Sequence, residues 1–154
     1  MKTKGRTKTA AIIAKFLGRI GRRPKLVIDT NLFVAAYWNR KSASARIIKG
    51  ILEGKYRFFY TAPIKQEAEH ILGRIKINKV YREKIKELFK KGKKLRPVEK
   101  FGYIKDDYYN NKYLDAANAA KADYIISSDK HLTRLKKFKN IPILIPTQFI
   151  KLKN

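Results

Sequence analysis

Short β-forming segments alternate with helical segments from residue 25 onward, and this alternation restricts the fold more than any other feature. Strands are predicted at residues 26–28, 56–61, 95–100, 123–129 and 141–146, and helices at 42–55, 63–72, 81–93, 110–122 and the C-terminus. Pro97 weakens the third strand, because proline cannot donate to a sheet. Strands that alternate with helices form parallel βα units. We therefore predict an α/β fold with three α/β/α layers around a central parallel sheet of four to five strands.

The composition narrows the kind of protein. The chain has 154 residues, of which 44% are hydrophobic, enough for one domain with its own core. It contains no cysteine, which excludes disulfides, thiolate metal sites and a cysteine nucleophile. His70 and His131 alone cannot form a zinc site of the usual type. Because no apolar run approaches the roughly 20 residues of a membrane span, we expect a soluble, cytoplasmic protein.

The net charge indicates the class of partner. Lys and Arg number 38 against 12 Asp and Glu, which gives a formal charge of +26. A positive field of this size attracts polyanions, so nucleic acid is the expected partner. The alternative is a lysine-rich surface of the kind found in thermophiles, but such surfaces usually gain Glu together with Lys.

Residues 1–24 form a basic N-terminal extension, followed by a domain over residues 25–154. Within the extension, Ile12, Ile13, Phe16, Leu17 and Ile20 recur with helical spacing. A basic amphipathic helix can bind nucleic acid, an anionic membrane or a partner protein. The alternative is an additional helix that packs on the domain.

Three acidic residues fall where the ends of strands are predicted. Asp29 ends the first strand, Asp129 follows YIIS at the end of a later strand, and Glu67 lies about one turn into the helix after YRFFYTAP. In open α/β sheets, ligands bind beyond the carboxyl ends of the strands. Clustered carboxylates repel one another, and a hard cation such as Mg²⁺ or Mn²⁺ relieves that repulsion.

Each of these acids also has an ordinary structural explanation. Asp29 and Asp129 could each cap the helix that follows, since Asp is a good N-cap residue. Glu67 could be a solvated helix residue, like its neighbour Glu69. The three together are harder to explain in this way.

Several motifs resemble those of PIN-domain proteins, the family of Mg²⁺-dependent ribonucleases that includes the VapC-type toxins. VIDTN resembles the first motif, and APIKQEAEHILGR resembles the second, whose acid is Glu67. AKADYIISSDKHLTRL followed by IPILIPTQFI resembles the fourth motif and the closing strand and helix. The resemblance covers roughly residues 25–150, and it is closest to the branch labelled as toxin components.

The resemblance implies roles for individual residues. Asp29 and Asp129 would be metal ligands for Mg²⁺ or Mn²⁺, and Glu67 would complete the acidic cluster. Asn31 and Ser127 would orient those carboxylates. The third motif departs from the family, because Asn110 stands where relatives usually carry Asp. Asp107, three residues earlier, is the candidate replacement for the missing charge.

We therefore expect a metal-dependent endoribonuclease that is toxin-like or processes RNA. Residues near the motifs that could bind the RNA backbone are Arg40, Lys41, Arg46, Lys65, Arg74, Lys112, Lys130 and Arg134. Aromatic residues that could stack on unpaired bases are Tyr37, Trp38, Tyr108 and Tyr109. The alternative for each of them is packing in the core or on the surface.

Two alternatives and two protein partners accompany this prediction. With its altered third motif, the domain could bind RNA without cutting it. A nuclease acting on DNA is the weaker alternative, since the sequence shows no added DNA-binding domain. If the protein is a toxin, the family implies an antitoxin that covers the acidic cleft, and relatives often form homodimers.

Overall fold

A computed structural model describes residues 22–96 and 110–154 of the chain. The strands are β1 Lys25–Ile28, β2 Arg57–Thr61, β3 Lys93–Leu95, β4 Tyr124–Ile126, β5 Lys137–Phe138 and β6 Ile141–Leu144. The helices are α1 Asn31–Trp38, α2 Ala43–Leu52, α3 Ala62–Arg74, α4 Lys79–Lys91, α5 Asn111–Ala120, α6 Lys130–Thr133 and α7 Pro146–Lys153.

The described strands form a six-stranded sheet in the order β3-β2-β1-β4-β6-β5. The first five strands of that order are parallel, and β5 adds an antiparallel pair with β6. In the register of β1 and β4, Leu26 pairs with Tyr124 and Ile28 pairs with Ile126. The predicted α/β fold with a central parallel sheet is therefore confirmed, and β5 is an edge strand that was not predicted.

The central strands of the sheet are buried on both faces. Leu26, Val27 and Ile28 of β1 are all fully buried, as are Ile125 and Ile126 of β4. Strands covered by helices on both faces need such continuous apolar runs. Helix α5 packs on β1, β2, β3 and β4, whereas α2 packs against α1, α4 and α7.

Local signals set several element boundaries. The hydroxyl of Ser42 accepts from the backbone N–H of Ala45 and caps α2, and Asn78 caps α4 in the same way. Gly92 ends α4, where a Cβ would lie only 2.7 Å from the Phe58 ring. Glycine therefore allows the chain to pass close to β2 before it enters β3.

Two elements differ from the sequence prediction. Strand β3 begins at Lys93, two residues before the predicted segment, and ends before Pro97. Helix α1 had no predicted bounds, because its sequence NLFVAAYW is apolar around most of the helix and lacks a polar face.

The extension falls mostly outside the described residues. The predicted helix that contains Ile12 to Ile20 lies outside them entirely, while β1 begins at Lys25, the first residue of the predicted domain. No helix among residues 22–96 and 110–154 combines the length and apolar character needed to cross a membrane.

Candidate functional site

The candidate site lies at the carboxyl ends of β1 and β4. These strands are neighbours and parallel, so the residues that follow them meet at one edge of the sheet. The backbone N–H of Asp29 donates to the carbonyl of Ile126 over 2.9 Å, which continues the strand pairing to the edge. Asp29 and Ser127 are both buried there, at 2% and 0% exposure.

Ser127 connects the two aspartates. Its hydroxyl donates to Oδ2 of Asp29 over 2.6 Å and accepts the backbone N–H of Asp129 over 3.0 Å. The other oxygen of Asp29, Oδ1, accepts the backbone N–H of Asn31 over 3.0 Å. Backbone and hydroxyl donors therefore hold the Asp29 carboxylate in one orientation at a rigid strand end.

The environment of Asp29 disfavours its charged form. Burial raises the pKa of the Asp29 carboxyl above its ordinary value, and the negative charges of Glu67 and Asp129 raise it further. The hydrogen bonds from the Asn31 backbone and the Ser127 hydroxyl act in the opposite direction and do not cancel the effect of burial. A cation at this edge would stabilise the ionised form of the Asp29 carboxylate.

Glu67 extends from α3 toward the same edge and has three partners on one oxygen. Its Oε2 lies 3.0 Å from the ammonium of Lys112, and it accepts the hydroxyl of Tyr113 over 2.5 Å and that of Thr30 over 3.1 Å. The side chains of Lys112 and Glu67 are only 14% and 28% exposed. The pKa of Tyr113 is raised, first by burial and then by the charge of Asp29, so its hydroxyl is a donor throughout the physiological range.

Asn110 lies beside Asp129. The side-chain nitrogen of Asn110 donates to Oδ2 of Asp129 over 3.0 Å. The other carboxylate oxygen of Asp129, Oδ1, accepts the backbone N–H of His131 over 2.8 Å. Asn110 is itself 6% exposed. The predicted alternative role of Asp129 as a helix cap is therefore real, since the bond to His131 caps α6.

The structure brings most of the predicted site residues together. Asp29, Ser127, Asp129 and Asn110 form one hydrogen-bonded chain. Glu67 accepts the hydroxyl of Thr30, the residue that follows Asp29 in the sequence. In the part of the chain that the structure describes, no three acidic or histidine side chains lie close enough together to hold a metal ion among them.

Asn31 contacts Asp29 through its backbone N–H, and its side chain is exposed. Asp107, the candidate for the missing charge, lies outside the described residues.

The predicted RNA-binding residues occupy different places. Lys130 and Arg134 are exposed on and just after α6, which begins next to Asp129. Arg46 donates to Oδ1 of Asn154 over 3.4 Å, while the ammonium of Lys112 lies on Glu67. The others are the exposed Arg40, Lys41 and Arg74 and the half-buried Lys65.

The predicted stacking residues also separate. Trp38 is 69% exposed at the end of α1, and Tyr37 packs edge-on against it with 5.1 Å between the ring centres. Tyr37 also contacts Tyr81, so one of its faces serves packing. Tyr108 and Tyr109 lie outside the described residues.

Sequence reasoning missed Thr30 and Tyr113, whose hydroxyls hold the Glu67 carboxylate beside Asp29. Thr30 donates through its backbone to the Tyr113 hydroxyl over 3.2 Å, and both residues contact Glu67. A signal for Tyr113 existed, because it follows Asn110 by three residues and such residues share a helix face.

The chain is similar in sequence to a known protein family. Residues 25–131 match the family model described as "PIN domain". A search of curated proteins gives no significant match.

Two solved structures share the fold. VapBC2 from Rickettsia felis, bound to a DNA fragment from its promoter, aligns with a TM-score of 0.56 and 10% identity over 79% of this chain and 98% of the other. PAE2754 from Pyrobaculum aerophilum aligns with a TM-score of 0.55 and 14% identity over 85% of this chain and 90% of the other. At these identities the likeness concerns the fold alone.

Proposed function

Because the chain belongs to the PIN-domain family, we propose that it is a metal-dependent endoribonuclease that hydrolyses phosphodiester bonds of RNA. The observation that carries the proposal is the connection of Asp29 to Asp129 through Ser127 at the carboxyl ends of two neighbouring parallel strands. Such an edge is where α/β sheets place their ligands. The reaction would be attack of water on phosphorus with departure of one ester oxygen.

The donor set fits a hard cation. Asp29 and Asp129 offer carboxylate oxygens only, and Mg²⁺ is commonly held by one or two carboxylates together with waters and substrate phosphates. The pKa of the Asp29 carboxyl is raised first by burial and then by the charges of Glu67 and Asp129, and a nearby cation would offset these effects by stabilising the ionised carboxylate. When bound, Mg²⁺ or Mn²⁺ would lower the pKa of the attacking water and neutralise charge on the phosphate.

The remaining residues would hold these groups in position. Ser127 and the Asn31 backbone orient Asp29, while Asn110 and the His131 backbone orient Asp129. We assign Glu67 to orienting the attacking water, because its Oε2 already pairs with the ammonium of Lys112 over 3.0 Å, which disfavours binding of a second cation by Glu67.

RNA would have to approach this acidic edge against local repulsion. The overall charge of +26 supplies the long-range attraction. Close to the edge, Lys130 and Arg134 on and just after α6 and the partly exposed Lys65 of α3 are the residues we assign to backbone contacts. Trp38 is the residue best exposed for stacking on an unpaired base.

A second candidate function is RNA binding without cleavage. The observation that favours it is the Asn110 amide on Asp129, which contributes a hydrogen bond but no negative charge. With one carboxylate fewer, the edge would hold a cation more weakly, and a loss of about 1.4 kcal/mol in transition-state stabilisation slows a reaction tenfold.

We also propose a protein partner. The likeness of the fold to VapBC2 supports an antitoxin that covers the acidic edge and blocks access of RNA to Asp29 and Asp129. A homodimer is the further assembly that the family resemblance suggests.

Cleavage of labelled single-stranded and structured RNA, with Mg²⁺, Mn²⁺ or EDTA, tests the proposal. Asp29→Asn is the variant, because it removes the charge and keeps the size of the side chain. Asp123→Asn is the matched control, since Asp123 precedes β4 at the opposite end of the sheet, where its carboxylate accepts the backbone N–H of Lys25.

Cleavage by the wild type and by Asp123→Asn, abolished by EDTA and by Asp29→Asn, would establish the nuclease. Salt-sensitive binding of RNA without cleavage under any metal would establish the second function instead.

A further inference from the structure

A basic hollow lies at the amino end of the sheet, away from the acidic edge. It encloses about 460 Å³ and is lined by four cationic residues, Arg23, Arg57, Lys91 and Lys93. Its floor is apolar and includes Ile51 and the rings of Tyr56, Phe58 and Phe59. Arg57 begins β2 and Asp29 follows the far end of β1, so the hollow and the acids lie about a strand length apart, roughly 13 Å at 3.3 Å per residue.

The charged residues that line this hollow are all positive. Among the residues described, no acid lines it, whereas the larger groove of about 720 Å³ between α3 and α4 is lined by Lys65, Arg82, Lys86 and Lys90 together with Glu69, Glu83 and Glu87. The groove is therefore nearly balanced in charge, and the basic hollow is not. Four like charges around one cavity repel one another unless an anion lies between them.

Contacts that leave the charge intact hold three of the four cations. The guanidinium of Arg57 lies over the Phe59 ring, 5.0 Å from its centre. Arg23 donates to the carbonyl of Gly54 over 3.4 Å, and Lys91 donates to the carbonyl of Leu52 over 2.7 Å. Within residues 22–96 and 110–154, none of the four forms an ion pair with a carboxylate. The cations are positioned, but they are not neutralised.

The edge strand β3 connects the hollow with the opposite end of the sheet. Lys93 pairs with Phe59 near the middle of β2, and Leu95 pairs with Thr61 at its carboxyl end. Lys93, Lys94 and Arg96 are all exposed. Exposed cations therefore extend from the hollow to the carboxyl end of β3, and a strand of nucleic acid that contacts the hollow can follow this edge strand.

We propose that the basic hollow is a second nucleic-acid site, which binds backbone phosphates of single-stranded RNA while another part of the same strand reaches the acidic edge. This inference takes from the proposed function only the kind of ligand, which is RNA, and it does not require that the protein cleaves RNA. Phosphate oxygens suit the forked donors of Arg23 and Arg57. The site supplies affinity without sequence recognition, because it offers charge and no base-reading group.

Binding of a labelled, unstructured RNA at several salt concentrations tests this proposal. All proteins carry Asp29→Asn and are studied in EDTA, so the result does not depend on whether the wild type cleaves RNA. The test variant combines Arg57→Gln, Lys91→Gln and Lys93→Gln. The matched control combines Lys79→Gln, Lys137→Gln and Lys151→Gln, which removes three exposed cations elsewhere.

We expect the slope of log affinity against log salt to fall by about 2 in the test variant, since each lost phosphate contact on a single strand accounts for about 0.7. Affinity should fall about tenfold or more near physiological salt, and less than about threefold in the control. Equal slopes in the test variant and the parent, or equal losses in test and control, would overturn the proposal.

Two further measurements remove ambiguity. Lys91→Gln with Lys93→Gln leaves the contact of Arg57 with Phe59 intact, so it preserves the floor of the hollow if the triple variant fails to fold, and its slope should fall by about 1.4. Inorganic phosphate is titrated at constant ionic strength. If phosphate binds the hollow but the RNA slopes do not change, the ligand is free phosphate and the inference is wrong.

Discussion

The side-chain nitrogen of Asn110 lies 3.0 Å from Oδ2 of Asp129, at the carboxyl end of β4. The amide is uncharged, so it donates a hydrogen bond to this carboxylate oxygen without neutralising its charge. Where the family resemblance implies an aspartate, the buried Asn110 therefore gives Asp129 a hydrogen-bond donor in place of a second negative charge. We expect this hydrogen bond to stabilise the metal-free protein, whereas at the proposed metal site the amide supplies one negative charge fewer than a carboxylate would.

Asn110→Asp should therefore reverse the balance. Without metal it replaces a hydrogen bond by carboxylate repulsion, and we expect the free energy of unfolding at pH 7 to fall by about 1–3 kcal/mol. Mg²⁺ should restore most of that loss, and any RNA cleavage should become faster. Urea unfolding with EDTA and with Mg²⁺ measures both effects. If Mg²⁺ stabilises the variant no more than the wild type, Asn110 does not lie at the metal site.

Ser127→Ala should be costly, because the hydroxyl is fully buried and serves both aspartates. The Asp29 carboxylate and the Asp129 N–H each lose a partner, and we expect a loss of about 1–3 kcal/mol in unfolding free energy. Ser128→Ala is the control, since the adjacent serine is exposed and should change stability by less than about 0.5 kcal/mol. Similar losses in the two variants would contradict the bridging role of Ser127.

The pH dependence of stability should report Asp29. Its pKa is raised in the folded state, so the folded protein binds this proton more tightly than the unfolded chain does. The corresponding stability is fully present below the unfolded value and is lost as the pH rises through the folded value. Asp29→Asn removes this dependence. The unfolding free energy of the variant relative to the wild type should therefore increase from pH 3 to pH 7 in EDTA.

Urea titrations of both proteins across that range make the comparison, and Asp123→Asn serves as the reference for loss of one acid. A relative stability that is constant with pH, or one that falls toward pH 7, would show that Asp29 is not held in a desolvated, negatively charged environment.

The interaction between Lys112 and Glu67 should stabilise the protein more than an exposed ion pair on the surface does. Both side chains are less than a third exposed. Within residues 22–96 and 110–154, Glu67 would keep the hydroxyls of Thr30 and Tyr113 as its partners if the ammonium were removed. We expect Lys112→Met to cost about 1–2 kcal/mol, with part of the loss recovered when Glu67→Gln is added.

A double-mutant cycle measures this coupling by urea unfolding. The pair of Lys49 with Glu53 is the control, because its side chains are 72% and 42% exposed and its coupling should be close to zero. Equal coupling energies for the two pairs would contradict the role of burial in the first.

Much of the fold could be predicted from the sequence because local and tertiary signals agree in it. The continuous apolar runs of β1 and β4, the Ser42 cap and the Gly92 helix end all act over a few residues. Strand β5 lacked such a signal, since it has two residues and depends on pairing with β6. Tertiary contact decided its structure.

The sequence also predicts which residues lie near one another at the candidate site. Asp29, Ser127 and Asp129 follow strand ends, so parallel pairing alone brings them together. The position of Lys112 could not be predicted in this way, because a lysine on a basic surface resembles every other lysine until its neighbour across the fold is known. Its partner Glu67 lies 45 residues earlier on α3, and no local pattern connects the two.

The order of the strands also determines when the site forms during synthesis. Asp29 is made early, but the hydroxyl that orients it belongs to Ser127, 98 residues later, on the strand that pairs with β1. At roughly 5–20 residues per second, the ribosome needs about 5–20 seconds to add that segment. A nascent chain that ends before β4 therefore carries Asp29 without its partners, and any catalytic activity must wait until nearly the whole protein has been translated.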